Sequence, residues 1–491
     1  MVKPDLASIE VRSFVGGVYQ EGTGGLIEKV SPIDGAQLPG IKACSIADVN
    51  SAVVCAQESF RSGLWRTQST EERKKCLLKL ADLMEQDKEY LAFLDTIETG
   101  RAYSNFLNDS IPKAIKTLRW FSECIDKLQG TCITPAQDRI CLINSEPLGV
   151  VAAIIPWNDP LVVAVWKLAP ALLMGNSLIM KPAEQSSYSL IRLGQLAINA
   201  GIPRGVLNIL PGYGEIAGKA LVTHPDIRGV FFTGSSSVGK QILSDAGMSN
   251  MKRVGLECGG KSAFIVTANC SDLSSAVKTL AKNMFYNQGQ ICSAPSRLLI
   301  DKQLESEFLV SLLEEIKLYE PCDPWAPETR VGAVCSETQF KSIQGFIRRA
   351  EQAGIKKITQ DAPKMPHENG FYISPTIFVD VPLDAEIAQN EVFGPVLVVH
   401  SFKAVKEAIE IANNTKYGLA AAIWSDDLNE AMLCARALEA GTVHVNSYGE
   451  DDESAPFGGV KESGIGKDKS LLVFEEYANL KTTWIQLKNT H

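Results

Sequence analysis

Between residues 148 and 266 the chain alternates short apolar runs with longer segments of helical period. Residues 150–155 read Val-Val-Ala-Ala-Ile-Ile, 177–180 Ser-Leu-Ile-Met, 206–210 Val-Leu-Asn-Ile-Leu and 229–232 Gly-Val-Phe-Phe, and 254–257 and 263–266 add two more. Helical segments are expected at 166–173, 188–200, 215–221 and 238–246. A strand that is apolar along its whole length is buried on both faces. That happens when helices cover a parallel sheet from both sides, so the class is α/β with a doubly wound parallel sheet. Such a sheet binds ligands at the carboxyl ends of its strands. Trp157, Lys181, Gly212 and Gly234 all fall at those ends.

The flanking segments are consistent with this centre. Residues 1–45 hold two β-like pieces, at 13–19 and 26–30, and a turn at Pro32-Ile-Asp-Gly35. Ser45 is a plausible N-cap, and helical pattern then dominates to about residue 128, as at 70–86 and 111–125. Residues 130–144 read as a hairpin turning near 135–138. A second α/β region follows over 269–460, with strands expected at 297–300, 376–379, 396–401, 420–424 and 442–445. The tail has a helix at 471–477 and strand character at 480–487. A strand there needs an edge to pair with, and a neighbouring subunit is one provider. With 491 residues, two or three domains are expected.

Composition narrows the partners. A dispersed net charge of −9 offers no basic face to a nucleic acid or an anionic membrane. No apolar run approaches a membrane span, and the first residues have no signal-peptide core. The twelve cysteines are scattered without a Cys-x-x-Cys pair, and the five histidines lack ligand spacing. The expectation is a cytoplasmic, reduced, metal-free protein.

Three residues suggest chemistry. Cys292 follows a Gly–Gln turn in Asn287-Gln-Gly-Gln-Ile-Cys292; a lone thiol is more often structural, since reactivity needs a special environment. Glu257 and Asn158 give it company: a nucleophile, a carboxylate and an amide donor are the parts of an acyl-transfer site. A dinucleotide fingerprint of Gly-x-Gly-x-x-Gly type is missing. Phe232-Thr-Gly-Ser-Ser-Ser-Val-Gly239 is there instead, and a strand, glycine turn and helix start of this kind can hold a pyrophosphate, although many such turns hold nothing. Lys181-Pro-Ala-Glu184 places a carboxylate where ribose hydroxyls would lie, which disfavours a 2′-phosphate. In isolation these two residues would pass for a solvated charged pair.

Taken in order, these pieces resemble the aldehyde dehydrogenase superfamily. The motifs are Ile155-Pro-Trp-Asn158, Gly175-Asn-Ser-Leu-Ile-Met-Lys-Pro-Ala-Glu184, Phe232-Thr-Gly-Ser235, Leu256-Glu-Cys-Gly-Gly-Lys261, Asn287-Gln-Gly-Gln-Ile-Cys292, Glu391-Val-Phe-Gly-Pro395 and Pro456-Phe-Gly-Gly-Val-Lys-Glu-Ser-Gly464. The resemblance implies a Rossmann-like cofactor domain over 1–128 and 146–256, a catalytic domain over 257–470, and oligomerisation elements at 129–145 and 471–491. It implies that Cys292 is the nucleophile, Glu257 the base for water and Asn158 the oxyanion donor. It implies a cofactor site of Ile155, Trp157, Lys181, Glu184, Gly212, Gly234, Ser235, Glu391 and Phe393, holding NAD in preference to NADP. The base argues against the CoA-acylating branch, which passes its acyl group to CoA.

Substrate expectations rest on departures from the family pattern. Asp159 stands where Phe is usual after Pro-Trp-Asn, and the loop Tyr448-Gly-Glu-Asp-Asp-Glu-Ser454 carries four acids. With Trp166 and Phe457, Asp159 and Asp451 are expected to line the substrate path. Carboxylates there would attract a cationic tail; the alternative is a merely solvated loop. The C-terminal region looks most like the γ-glutamyl-γ-aminobutyraldehyde and 4-guanidinobutyraldehyde dehydrogenases, which implies an ω-amino or other cationic aldehyde. A broad-specificity aldehyde dehydrogenase, a cofactor-independent esterase and a non-catalytic structural relative are the competing readings. Asn479 replaces a glutamate that relatives place in a proton path with the lysine matching Lys167, which puts that relay in question. The family resemblance implies a homodimer or homotetramer.

Overall fold

The structure is a computed structural model and describes residues 4–360, 365–449 and 452–488. Its centre is an eight-stranded sheet. Five strands run parallel in the order Arg253–Glu257, Gly229–Thr233, Val150–Ile154, Ser177–Lys181 and Leu207–Ile209. The hairpin Ser13–Val15 and Val18–Gln20 closes one edge in antiparallel fashion, and Gly464–Ile465 closes the other beside Leu256 and Glu257. The expected single β piece at 13–19 is therefore two strands, because Gly16 and Gly17 take φ of +62° and +80° and turn the chain between them.

Helices cover both faces, as the apolar strands require. Helix Pro160–Leu173 is buried along its whole length, including Lys167. It starts earlier than its periodicity suggested, because Pro160 sits at a helix N-terminus, where its missing N–H costs nothing. Ser45 and Ser69 each close a capping box, with Asp48 and Glu72, for helices Ile46–Ser62 and Thr70–Gln86.

A second, seven-stranded sheet is built from residues 263–445, with the parallel order Thr376–Val379, Val396–Phe402, Arg297–Asp301, Ala263–Val266, Ala420–Trp424 and Thr442–Val445, and Lys356–Lys357 antiparallel at one edge. A three-stranded arm projects separately. Thr131–Ala136 and Arg139–Pro147 form the expected hairpin, and Ala478–Gln486 adds to it in unbroken antiparallel register, Ala478 opposite Pro147 and Gln486 opposite Arg139. The edge that the C-terminal strand needed thus comes from its own chain. Among the described residues no helix is long and apolar enough to cross a membrane.

Candidate active site

The nucleophile candidate is held by a strained turn. After helix Leu273–Phe285 the chain puts Asn287 and Gln288 in the left-handed region, at φ of +50° and +58°. Side chains hold that strain in place. Asn287 Nδ2 donates to the Asn158 carbonyl at 3.2 Å, Gln288 donates to the Gly332 carbonyl, and Gln290 Oε1 accepts from the Cys335 N–H at 3.0 Å. Gly289 has φ of +66°, and a Cβ there would lie 2.3 Å from the Gly394 carbonyl oxygen. Two residues past the turn, Cys292 is half-buried. Burial pushes its thiol up to about 12, and the charges of Glu391 and Glu257 work in the same direction. As it stands Cys292 is a neutral thiol that needs a proton acceptor to attack. The Tyr448 hydroxyl donates to the Ser293 carbonyl and fixes the far side of the turn.

Asn158 lies in the loop between strand Val150–Ile154 and helix Pro160–Leu173. Its Nδ2 donates to the Gln290 carbonyl at 3.0 Å. One N–H of the amide is thus anchored to the nucleophile loop, which leaves the other for an oxyanion.

Glu257 ends its strand deep in the protein, 4% exposed, and its Oε2 is buried with no partner among the described residues. Burial holds its carboxyl well above the usual range, Asp468 adds to the rise, and Lys167 and Lys467 oppose it. Gly458 makes room for it: a Cβ there would lie 2.4 Å from Glu257 Oε1. A carboxyl with a raised pKa and an unpartnered oxygen is suited to take a proton from water.

The structure corrects the expected relay. Asn479 is exposed on the arm, opposite Glu146, with no bond to Lys167. Lys167 Nζ instead meets Asp468 Oδ2 at 2.5 Å, both side chains being under 5% exposed. Asp468 is the residue that sequence reasoning missed. It is placed by two main-chain bonds of 2.7 Å with Phe457. The available signal was Lys167 itself, a lone charge in an otherwise apolar helix, which has to find a buried partner.

Most of the expected cofactor residues lie along the carboxyl ends of the first sheet, and Glu391 and Phe393 come from the segment before strand Val396–Phe402 of the second. The Ile155 N–H donates to the Lys181 carbonyl at 2.9 Å and so continues the strand pairing. Lys181 Nζ lies 2.9 Å from the Pro182 carbonyl and 3.5 Å from Glu184 Oε1. Glu184 Oε1 also accepts from the Gly214 N–H at 2.6 Å, and its Oε2 has no partner among the described residues. Gly212 packs against Ala217 with no space for a side chain. The Gly234 N–H bonds the Glu257 carbonyl at 3.0 Å, and Ser235 caps the twelve-residue helix Ser236–Gly247. Trp157 and Phe393 stand edge to face at 5.2 Å. Glu391 Oε1 accepts from the Gly260 N–H at 3.0 Å, and burial raises its carboxyl to about 7. A free carboxylate oxygen, a capped helix N-terminus beside a glycine turn and an aromatic slot suit a dinucleotide.

The substrate candidates fare unevenly. Trp166 and Phe457 stack obliquely at 5.2 Å, with the Lys113 and Lys469 ammonium groups 5.9 and 5.8 Å from the Trp166 ring. Asp159 is not an isolated charge: its Oδ2 lies 3.3 Å from the Arg101 guanidinium and 3.2 Å from Ser110 Oγ. Arg101, which sequence reasoning also missed, further reaches the Tyr286 hydroxyl at 2.7 Å and Asp109 at 3.6 Å. Two carboxylates therefore share one guanidinium. Asp451 and Glu450 lie outside the described residues. Of the other loop acids, Asp452 bonds Ser454, and Glu453 turns inward to Lys116 at 2.8 Å instead of facing the path. Among the described residues no group of three or more His, Cys, Asp and Glu side chains forms a metal site.

Comparison with known proteins agrees with this geometry. The model of the aldehyde dehydrogenase family matches residues 19–483. The NADP/NAD-dependent aldehyde dehydrogenase PuuC of Escherichia coli K12 is 45% identical over 98% of this chain and 97% of its own length. The P. syringae indole-3-acetaldehyde dehydrogenase AldA, solved with NAD+ and IAA, superposes with a TM-score of 0.95 at 44% identity, covering 98% of this chain and 97% of that one. The γ-glutamyl-γ-aminobutyraldehyde dehydrogenase of Burkholderia cenocepacia J2315 superposes with a TM-score of 0.95 at 42% identity, covering 98% of each chain.

Proposed function

The chain belongs to the aldehyde dehydrogenase family, and from that premise we propose how its own residues carry the reaction and which aldehyde it takes. It is an NAD-dependent aldehyde dehydrogenase. The Cys292 thiol gives up its proton to a water in the substrate path and its sulfur attacks the aldehyde carbonyl. The Asn158 amide N–H and the Cys292 main-chain N–H stabilise the oxyanion of the thiohemiacetal, where losing one donor costs about 10²–10³ in rate. NAD+, when bound, supplies the acceptor for the hydride that leaves this carbon. Glu257 then takes a proton from the water that hydrolyses the Cys292 thioester, and Lys167 and Asp468 set the charge around it. Glu184 and Lys181 would hold the adenosine ribose, Gly234 and Ser235 the pyrophosphate, and Glu391 and Phe393 the nicotinamide end, with Ile155, Trp157 and Gly212 lining the cleft.

The observation that carries this reading is Glu257: a deeply buried carboxyl with an unpartnered oxygen, beside a Lys167–Asp468 pair and close enough to Cys292 to act on its charge. We divide the molecule into a cofactor unit of 1–128 with 146–256, a catalytic unit of 257–470 and an arm of 129–145 with 471–491. The arm leaves Leu480 and Trp484 exposed at 74% and 63%, which supports burial against another copy in a homodimer or homotetramer. We place the enzyme in the cytoplasm.

For substrate we propose an ω-amino or other cationic aldehyde. Asp109 and Asp159 share the single Arg101 charge, so this trio carries one net negative charge, which supports recognition of a cationic tail. A screen of neutral, anionic and cationic aldehydes of equal length, with NAD+ and NADP+, tests both choices. Higher kcat/KM for the cationic tail is expected; equal values for neutral and cationic tails refute the charge argument in favour of a broad-specificity enzyme. Loss of nicotinamide reduction in Cys292→Ala is expected, and its retention refutes the assignment of the nucleophile.

A further inference from the structure

The strand Leu26–Val30 sends one charged side chain into the interior, Lys29, which is 5% exposed. Its ammonium donates to the Glu98 carboxylate and, at 2.9 Å, to the main-chain carbonyl of Glu184. It also lies 4.7 Å from the centre of the Tyr188 ring. Glu98, 2% exposed, accepts the main-chain N–H groups of Ser187 at 2.9 Å and Tyr188 at 2.8 Å. These belong to the start of helix Tyr188–Ala200, whose own N-cap Ser187 makes no side-chain cap bond. A carboxylate from another helix does the capping instead.

Lys29 and Glu98 therefore hold both halves of the turn between strand Ser177–Lys181 and that helix, one by its carbonyl and the other by its amides. The Glu184 carboxylate projects from the same turn and bonds the Gly214 N–H. Stability alone does not explain the pair, because a buried ion pair is often no better than apolar side chains of similar size. What an apolar pair lacks is direction: it fixes no carbonyl and no N–H.

We propose that Lys29 is a positioning residue for the cofactor: its ammonium acts as a built-in monovalent cation between Glu98 and the Glu184 carbonyl, and so sets where the Glu184 carboxylate meets the adenosine ribose. This rests on the reading of Glu184 as the ribose acceptor. The cation is covalently attached, so cofactor affinity in the unaltered enzyme is independent of potassium or ammonium concentration. A truncated side chain leaves an anionic cavity that a small free cation can fill.

The test is NADH binding by fluorescence titration on the full chain, with steady-state kinetics and unfolding midpoints measured without cofactor. Lys29→Ala should weaken NADH binding and raise KM for NAD+ by about tenfold, the loss of one charge-assisted hydrogen bond, with kcat unchanged. Ammonium or potassium chloride should restore Lys29→Ala, choline chloride of equal ionic strength should not, and the unaltered enzyme should respond to none of them. The double variant Lys29→Met with Glu98→Gln buries no uncompensated charge, so it folds if either single variant does not, and it should still bind weakly. Wild-type NADH affinity in the double variant, or a Lys29→Ala defect that no small cation relieves, overturns the proposal. Glu184→Ala separates the two layers: unchanged NADH binding there refutes the ribose reading, and the route from Lys29 through Glu184 falls with it.

Discussion

Lys167 and Asp468 can be removed singly or together, and the three variants should tell a coupled buried pair from two independent charges. Lys167 sits 2% exposed in a helix buried on all sides, with its ammonium 2.5 Å from Asp468. Asp468→Asn strands the ammonium and Lys167→Met strands the carboxylate, and removing one partner of such a pair costs about 3–5 kcal/mol. The double variant strands nothing and should cost about 1 kcal/mol or less, far below the sum of the singles. A large oligomer seldom unfolds in two states, so the readout is the inactivation half-life at fixed temperature alongside the urea midpoint. The pH dependence of kcat supplies a second axis. The Asp468 charge raises the Glu257 pKa and the Lys167 charge lowers it. Asp468→Asn should therefore move the acid limb of the profile to lower pH, and Lys167→Met should move it to higher pH. Additive losses of stability, or shifts of the same sign, would refute the coupling of these groups to the base.

Four further outcomes are expected. Cys292→Ala should form no NADH from an aldehyde yet bind NADH in a fluorescence titration with unchanged affinity. Gly458→Ala forces a Cβ to 2.4 Å from Glu257 Oε1 at a φ of +145°, so thioester hydrolysis in single-turnover kinetics should fall by at least about tenfold. Folding raises the Glu391 carboxyl from 4.5 to about 7, so its contribution is fully present below pH 4.5 and is lost as pH rises to about 7; Glu391→Gln should remove about 2–3 kcal/mol of that slope in urea midpoints measured across the window. Asp159→Asn should lower kcat/KM for a cationic aldehyde about tenfold relative to a neutral one of equal length, and an unchanged ratio removes Asp159 from tail recognition.

How legible the molecule is in its sequence depends on how local each cause is. The parallel sheet was readable because strand burial on both faces leaves an unbroken apolar run, as in 150–155. The nucleophile turn was readable because Gly289 is needed at a positive φ. The role of Asp468 was not, since nothing in its local sequence names its partner and only its bridge to Phe457 brings it under Lys167. The same blindness misled on charge. A run of acids at 450–453 looks like one patch, yet Glu453 folds inward to Lys116, on a helix far earlier in the chain. Arg101 beside Asp159 is likewise a long-range pairing that no periodicity reports. Sequence pattern reports which face a residue takes; it does not report which opposite charge it meets there.

The order in which this chain leaves the ribosome adds a further constraint. The strand ending in Glu257 gains its outer neighbour only from Gly464–Ile465, and the arm strand Arg139–Pro147 gains its second partner only from Ala478–Gln486. At 5–20 residues per second, the gap between residues 257 and 464 amounts to about 10–40 s of translation. For most of that interval the nascent protein carries open β edges while Cys292 has already been made. Asp468, which steadies Lys167 near the base, arrives after Gly464–Ile465 closes the edge. Catalytic competence is thus tied to the synthesis of residues 464–486, and a chain stalled short of them would present chaperones with two open strand edges and an idle thiol.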